Sequence, residues 1–236
     1  MSLPKIAKIT YEATIPSSGK KIKYRPFLVK EEKVLILAQE SGSQSEVVRA
    51  IKDVLIACVQ TRGFDVEKLA TFDIEYLFLN IRGTSVGGDV EVIVTCPDDG
   101  ETKVPVTIYL SDIAVVFDDD HTDTIKLDDT YSIKMRYPSI DELMEADTDA
   151  VTVEQSLKLI SNCISQIYTE DESWASTDSS PGEMQEWVEE LQPNQFSLLE
   201  NFFTTMPKLS HTFTVKNPNT KVDNEIVLEG LGSFFA

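Results

Sequence analysis

The sequence predicts an α+β protein of two similar domains in tandem, residues 1–118 and 119–236. Each reads as a β-hairpin, about three helices and a second hairpin shaped like half a zinc ribbon but lacking complete metal ligands. Three observations carry this prediction. The first is that motifs recur in one order. Lys21-Ile22-Lys23-Tyr24-Arg25-Pro26 returns as Ser132-Ile133-Lys134-Met135-Arg136-Tyr137-Pro138, and Ile56-Ala57-Cys58-Val59 as Ser161-Asn162-Cys163-Ile164. Phe72-Asp73-Ile74-Glu75-Tyr76-Leu77 returns as Gln195-Phe196-Ser197-Leu198-Leu199-Glu200, and Val94-Thr95-Cys96-Pro97 as Val215-Lys216-Asn217-Pro218. The offset moves from 111 at Ile22/Ile133 to 105 at Cys58/Cys163 and 121 at Pro97/Pro218, as expected of a repeat with insertions and deletions. The second observation is that apolar residues alternate at period two near both ends of each half and at helical spacing between them. The third is an acidic stretch at 117–124, which marks the domain boundary.

Residues 7–15 and 20–27 form the first predicted hairpin, turning at Pro16-Ser17-Ser18-Gly19. A helix from about Lys30 to Gln39 stops at Ser41-Gly42. Ser43 and Glu46 form a capping box for the next helix, where Val47, Ile51, Val54, Leu55 and Cys58 recur at helical spacing before Gly63 closes it. Thr71 caps a third helix through about Arg82, apolar nearly all round and so either central in its own domain or covered by a partner. Residues 89–96 and 103–110 make the second hairpin. In the other half, Thr124–Leu127 and Tyr131–Tyr137 pair around Asp128-Asp129, and Ser139 with Glu142 caps a short helix. Val151 to about Tyr168 repeats the amphipathic helix, with Leu157, Ile160, Ile164 and Ile167 inward. Residues 169–181 are Ser-, Thr- and acid-rich and read as a mobile loop. Ser180-Pro181-Gly182-Glu183 starts a helix. A further helix spans about Pro193 to Thr205, followed by strands near 210–216 and 224–229.

Composition narrows the function classes. With 42% hydrophobic residues, the 236-residue chain has material for a packed core. Its longest apolar runs, such as Val34–Ala38, are far too short to span a bilayer, so no membrane partner is expected. Met1-Ser2-Leu3-Pro4-Lys5 lacks the pattern of a signal peptide, and the product is expected to stay where it is translated. Cys58, Cys96 and Cys163 read as buried reduced thiols of a cytosolic protein. The net charge of −19 is uneven: residues 1–52 hold ten Lys and Arg against five acids, and the remainder holds 11 against 35. A basic end and an acidic body suit contact with charged protein partners, and the acidic body repels nucleic acid.

No set of reactive groups is assembled in the sequence. Cys96-Pro97-Asp98-Asp99-Gly100 has the turn of a zinc knuckle, but Asp99 stands where a second thiolate belongs. The matching Asn217-Pro218-Asn219-Thr220 has no cysteine, so the four ligands of a closed zinc site are not supplied and no metal or cofactor is expected. The two histidines, His121 and His211, sit in no ligand spacing. Asp118-Asp119-Asp120 reads as a solvated loop rather than a cation site. No nucleophile elbow, phosphate loop or His-Glu-x-x-His is present, and the chain reads as a scaffold rather than an enzyme.

The stretches Tyr24-Arg25-Pro26-Phe27-Leu28-Val29-Lys30-Glu31-Glu32-Lys33 and Phe72–Arg82 with Ser85-Val86-Gly87 are similar to a T-even-type phage family of baseplate hub subunits of the contractile tail. The Cys96-Pro97 hairpin and the terminal Phe234-Phe235 also look like that family's pattern, although its members often carry a second cysteine where this chain has Asp99. The resemblance implies a non-enzymatic structural subunit of the hub, assembled in the cytoplasm of an infected bacterium and located in the virion. Its partners would be other hub or tail proteins. The alternatives are an assembly chaperone that is not retained in the virion, or a metal-dependent nucleic-acid-binding ribbon protein. Arg25 precedes a proline and is biased toward extended backbone, so the basic strand should end in a bend that presents Tyr24 and Phe27. The candidate contact residues are Lys21, Lys23, Tyr24, Arg25, Phe27, Arg82, Phe234 and Phe235.

Overall fold

The structure, a computed structural model, describes residues 9–146 and 152–235, with backbone only for 145, 146, 234 and 235. The start of the first expected strand, the expected helix start at Val151 and the side chains of Phe234 and Phe235 lie outside what it describes. Eight α-helices and several small antiparallel sheets make up the described residues, an α+β architecture. The chain divides into two compact units, Met1–Val116 with Lys208–Ala236, and Phe117–Pro207.

In the first unit, Tyr11–Thr14 (β1) and Lys21–Tyr24 (β2) pair across a turn that places Gly19 at φ +65°. Their alternation turns Ala13, Ile15, Ile22 and Tyr24 inward and leaves Glu12, Lys21 and Lys23 in water. Val29–Ser41 (α1) ends at Gly42, φ +67°, and Gln44–Cys58 (α2) begins with Ser43 accepting the Glu46 N–H at 3.4 Å. The sequence predicts that α2 runs to Gly63, yet it stops at Cys58. The edge of β2 captures the next residues: the Arg25 N–H donates to Cys58 O at 3.0 Å and the Gln60 N–H to Lys23 O at 2.8 Å, with Val59 bridging Tyr24. These bonds satisfy backbone groups that a continued helix would leave exposed on the strand.

Thr71–Val86 (α3) starts one residue after its cap position, Ala70, so Thr71 is the first helical residue rather than the cap. Phe72, Ile74, Leu77, Phe78, Leu79 and Ile81 are all buried, and α3 packs on α2 and on strands and a helix of its own unit. Its apolar circumference is therefore that of a central helix. Asp89–Thr95 (β3) and Lys103–Tyr109 (β4) form the second hairpin as expected. Ala114–Val116 (β5) was not expected, and it explains the discontinuous unit. It pairs with Lys208–Lys216 (β10), which also pairs with Asp223–Glu229 (β11). The chain leaves the first unit at 116/117 and returns at 207/208. The six-residue helix Gly230–Phe235 (α8) follows β11.

In the second unit, Thr124–Lys126 (β6), Ser132–Met135 (β7), Ile164–Tyr168 (β8) and Ser173–Ala175 (β9) form one sheet in that order. Ile140–Ala146 (α4), Val153–Cys163 (α5), Pro181–Glu189 (α6) and Pro193–Thr205 (α7) complete it. The expected helix to Tyr168 is corrected here: α5 ends at Cys163 and the chain continues as a strand. Ile164 and Ile167 are spaced like helix neighbours, but a register shift opposite Lys134/Met135 lets both face inward from a strand. The expected loop 169–181 is likewise structured, because the Thr169 N–H donates to Glu172 O at 2.8 Å and β9 pairs with β8. One cluster including Ile133, Met135, Ile160, Cys163, Leu199 and Phe202 forms the core.

Candidate interaction site

The strand-to-helix junction after β2 places most of the candidate residues, and it draws them inside. Arg25 donates from Nη2 to Glu31 Oε1 and to Ala57 O, both at 3.0 Å, and from Nη1 to Pro26 O at 2.8 Å. The other oxygen of Glu31 accepts the Leu28 N–H at 2.7 Å, capping α1 from its third position. Both side chains of this ion pair are 8% exposed. Burial alone would raise the Glu31 carboxyl. The bonds from Arg25, Leu28 and Lys30 outweigh it and hold the group at about 2.

The second unit contains the same junction. The Arg136 N–H donates to Cys163 O at 2.8 Å, as Arg25 does to Cys58. Arg136 grips Glu142 with both Nη atoms, at 2.9 and 2.6 Å, and also reaches Tyr137 O. Glu142 accepts the Ser139 N–H at 2.8 Å while Ser139 Oγ accepts the Glu142 N–H, closing the predicted capping box. Here the side chains are 44% and 22% exposed. Sequence reasoning paired Arg25 with Arg136 and Cys58 with Cys163 and named Glu142 as a helix cap, but joined neither Glu31 nor Glu142 to its arginine. Their shared spacing of six residues from the arginine was the available signal.

The expectation that the Arg25-Pro26 bend presents Tyr24 and Phe27 is corrected by their burial. Tyr24 is 3% exposed and stacks on Tyr11, Phe27 is 9% exposed with its N–H on Ser85 Oγ, and Arg25 is buried with Glu31. Pro26 turns the chain toward the protein because the arginine must reach both Glu31 and the end of α2. Arg82 is half-buried on α3. Lys21 and Lys23 remain exposed, Lys23 lying 3.6 Å from Glu12 in an ion pair that water weakens. These two lysines lie on one free face of the first hairpin, and burial leaves them as the accessible members of the set.

The groups with catalytic potential are occupied structurally. His121 lies 3.0 Å from both Thr205 Oγ1 and the Tyr137 hydroxyl and stacks on that ring, and burial lowers its pKa. His211 bonds Asp112 O and stacks on Phe213. Burial pushes the Cys58 thiol up to about 11 and the Cys163 thiol up to about 12, where neither is a nucleophile at neutral pH. Asp118 spends its carboxylate on the Asp120 N–H, at 2.9 Å. Among the described residues no three His, Cys, Asp or Glu side chains gather as a metal site would need, and no helix is long and apolar enough to cross a membrane.

Charge separates the units more sharply than the sequence halves. Residues 117–207 hold 21 Asp and Glu against four Lys and Arg, a net of −17, whereas the other unit holds 19 against 17. Three of those four cations, Lys126, Lys134 and Arg136, are already ion-paired within the unit.

A family model described as T4 bacteriophage base plate protein matches residues 6–236. The chain belongs to that family. Membership makes it a structural protein of the phage baseplate, in the tail of the virion among other tail and baseplate proteins, in a family that is generally non-enzymatic. Neither the curated proteins nor the solved structures contain a match.

Proposed function

We propose that this chain is a non-enzymatic subunit of the hub of a contractile-tail baseplate, assembled in the host cytoplasm and retained in the virion, and that it works by being gripped by neighbouring tail proteins. The observation that carries this is the family match over residues 6–236, and the charge distribution supports it. A unit with a net of −17 offers basic partners a broad acidic surface, while Lys21 and Lys23 offer acidic partners a small basic one. Complementary potentials of this kind set orientation and encounter rate more than affinity. Quantitative mass spectrometry of purified virions tests the reading. A fixed copy number relative to other baseplate proteins is expected, and absence from the particle would point instead to an assembly factor that leaves.

We further read the two units as diverged copies of one ancestral element. The support is the shared junction: an arginine after the second strand, a carboxylate six residues on that caps the next helix, and a cysteine carbonyl receiving the arginine N–H.

A further inference from the structure

The two hairpin turns that the sequence sets in parallel also meet in space. Cys96-Pro97-Asp98-Asp99-Gly100 joins β3 to β4, and Asn217-Pro218-Asn219-Thr220-Lys221 joins β10 to β11. Their backbones share a bond from the fifth residue back to the first and differ by one residue in the closing bond. The Cys96 N–H donates to Thr102 O at 2.8 Å and the Gly100 N–H to Cys96 O at 2.9 Å. The Asn217 N–H donates to Val222 O at 2.9 Å and the Lys221 N–H to Asn217 O at 3.0 Å. The fifth residue is left-handed in both, Gly100 at φ +69° and Lys221 at φ +66°. Lys221 is the one non-glycine residue with positive φ among those described, so the turn shape persists in the second hairpin although its sequence no longer favours it.

Side chains bind the turns together. Asn217 is fully buried and donates from Nδ2 to Asp98 Oδ1 at 2.8 Å and to Asp99 Oδ2 at 2.9 Å. Thr220 Oγ1 donates to Asp98, the Asp98 N–H donates to Asn224 Oδ1 at 3.0 Å, and Asn219 Nδ2 donates to Thr102 Oγ1 at 2.9 Å. Two of these residues, the fourth of the first turn and the first of the second, also accept pairs of backbone N–H groups. Asn217 Oδ1 accepts from the N–H groups of Asn219 and Thr220, and Asp99 Oδ1 from those of Glu101 and Thr102, two and three residues on in each case. Such pairs suit a negatively charged ligand atom. In a zinc ribbon, the first and fourth residues of two facing turns supply four thiolates. Here those places hold Cys96, Asp99, Asn217 and Thr220, an amide and a hydroxyl being poor donors to zinc.

We propose that the facing turns are a complete four-position ribbon knuckle whose metal is replaced by a carboxylate–amide–hydroxyl network, and that the four positions become a zinc site when each carries a thiolate. The Asp99→Cys/Asn217→Cys/Thr220→Cys variant of the full chain, titrated with Co²⁺ and then Zn²⁺, tests this. The expected result is one Co²⁺ per chain with the absorption bands of tetrahedral thiolate coordination, displaced by Zn²⁺, absent from the wild-type chain and abolished by adding Cys96→Ser. A folded variant without stoichiometric binding, or binding that survives Cys96→Ser, would overturn the proposal. If the variant stays unfolded with zinc present, a double-mutant cycle of Asp99→Ala and Asn217→Ala decides. Unfolding midpoints that shift non-additively uphold the network, and strictly additive shifts overturn it.

Discussion

The junctions at Arg25 and Arg136 share a wiring diagram and differ in their surroundings. In the first unit the ion pair is enclosed, with both side chains 8% exposed; in the second the arginine is 44% exposed and its carboxylate 22%. A buried charge stripped of its partner has no water to turn to, whereas an exposed one is rehydrated. The same hydrogen bonds therefore hold very different amounts of stability. A motif read from sequence predicts who meets whom, but not how much the meeting is worth.

Removing the arginine separates the two cases most strongly. Arg25→Ala leaves buried Glu31 with only the Leu28 N–H and the exposed Lys30, 3.2 Å away, and is expected to cost about 3 kcal/mol in urea unfolding. Arg136→Ala is expected to cost about 1 kcal/mol. Both tryptophans, Trp174 and Trp187, lie in the second unit, so their fluorescence reports on the Arg136 junction directly. Equal losses at the two sites would mean that burial does not set the strength of the ion pair.

Acid sharpens it. Folded Glu31 titrates at about 2 against an ordinary 4.5, so the unfolded chain binds more protons between those values. Its contribution is full above pH 4.5, falls as pH drops and is gone below about 2, a loss on the order of 3 kcal/mol. Arg25→Met/Glu31→Leu should remove this pH dependence. Its stability at pH 7 should lie within about 2 kcal/mol of wild type, because an apolar pair of similar volume replaces the ions without their desolvation cost.

A third carboxylate behaves in the opposite way. Burial pushes Glu75 up to about 7 against a single bond from the Leu231 N–H, at 3.1 Å. The folded state therefore holds the proton more tightly, and stability is full below pH 4.5 and falls as pH rises through 7. Glu75→Gln should raise the melting temperature at pH 8, by the equivalent of about 3 kcal/mol, and leave it unchanged at pH 4. A gain at both pH values would contradict this assignment.

Much of the fold was legible because local signals and tertiary structure agreed. Ser43, Ser139 and Ser180 mark helix starts that the structure keeps, and Gly42 marks a helix end. What sequence could not supply was competition between distant segments. Nothing near Cys58 or Cys163 ends a helix; β2 and β7 do so by taking the following residues as partners. Nor does anything near Ala114–Val116 announce that β10 will return to it. Tyr24, Arg25 and Phe27 are conspicuous side chains, but the satisfied place for them is inside, leaving the plain lysines at the surface. Arg25→Glu would accordingly report on folding rather than on contact.

Lys21 and Lys23 give the most direct test, since both are exposed and neither supports the core. Tagged wild-type chain and its Lys21→Glu/Lys23→Glu variant can be recovered from phage-infected cells and their co-purifying tail and baseplate proteins quantified. An unchanged melting temperature is expected, with at least one baseplate or tail protein lost from the variant. An identical set of partners in identical amounts would contradict the proposed contact.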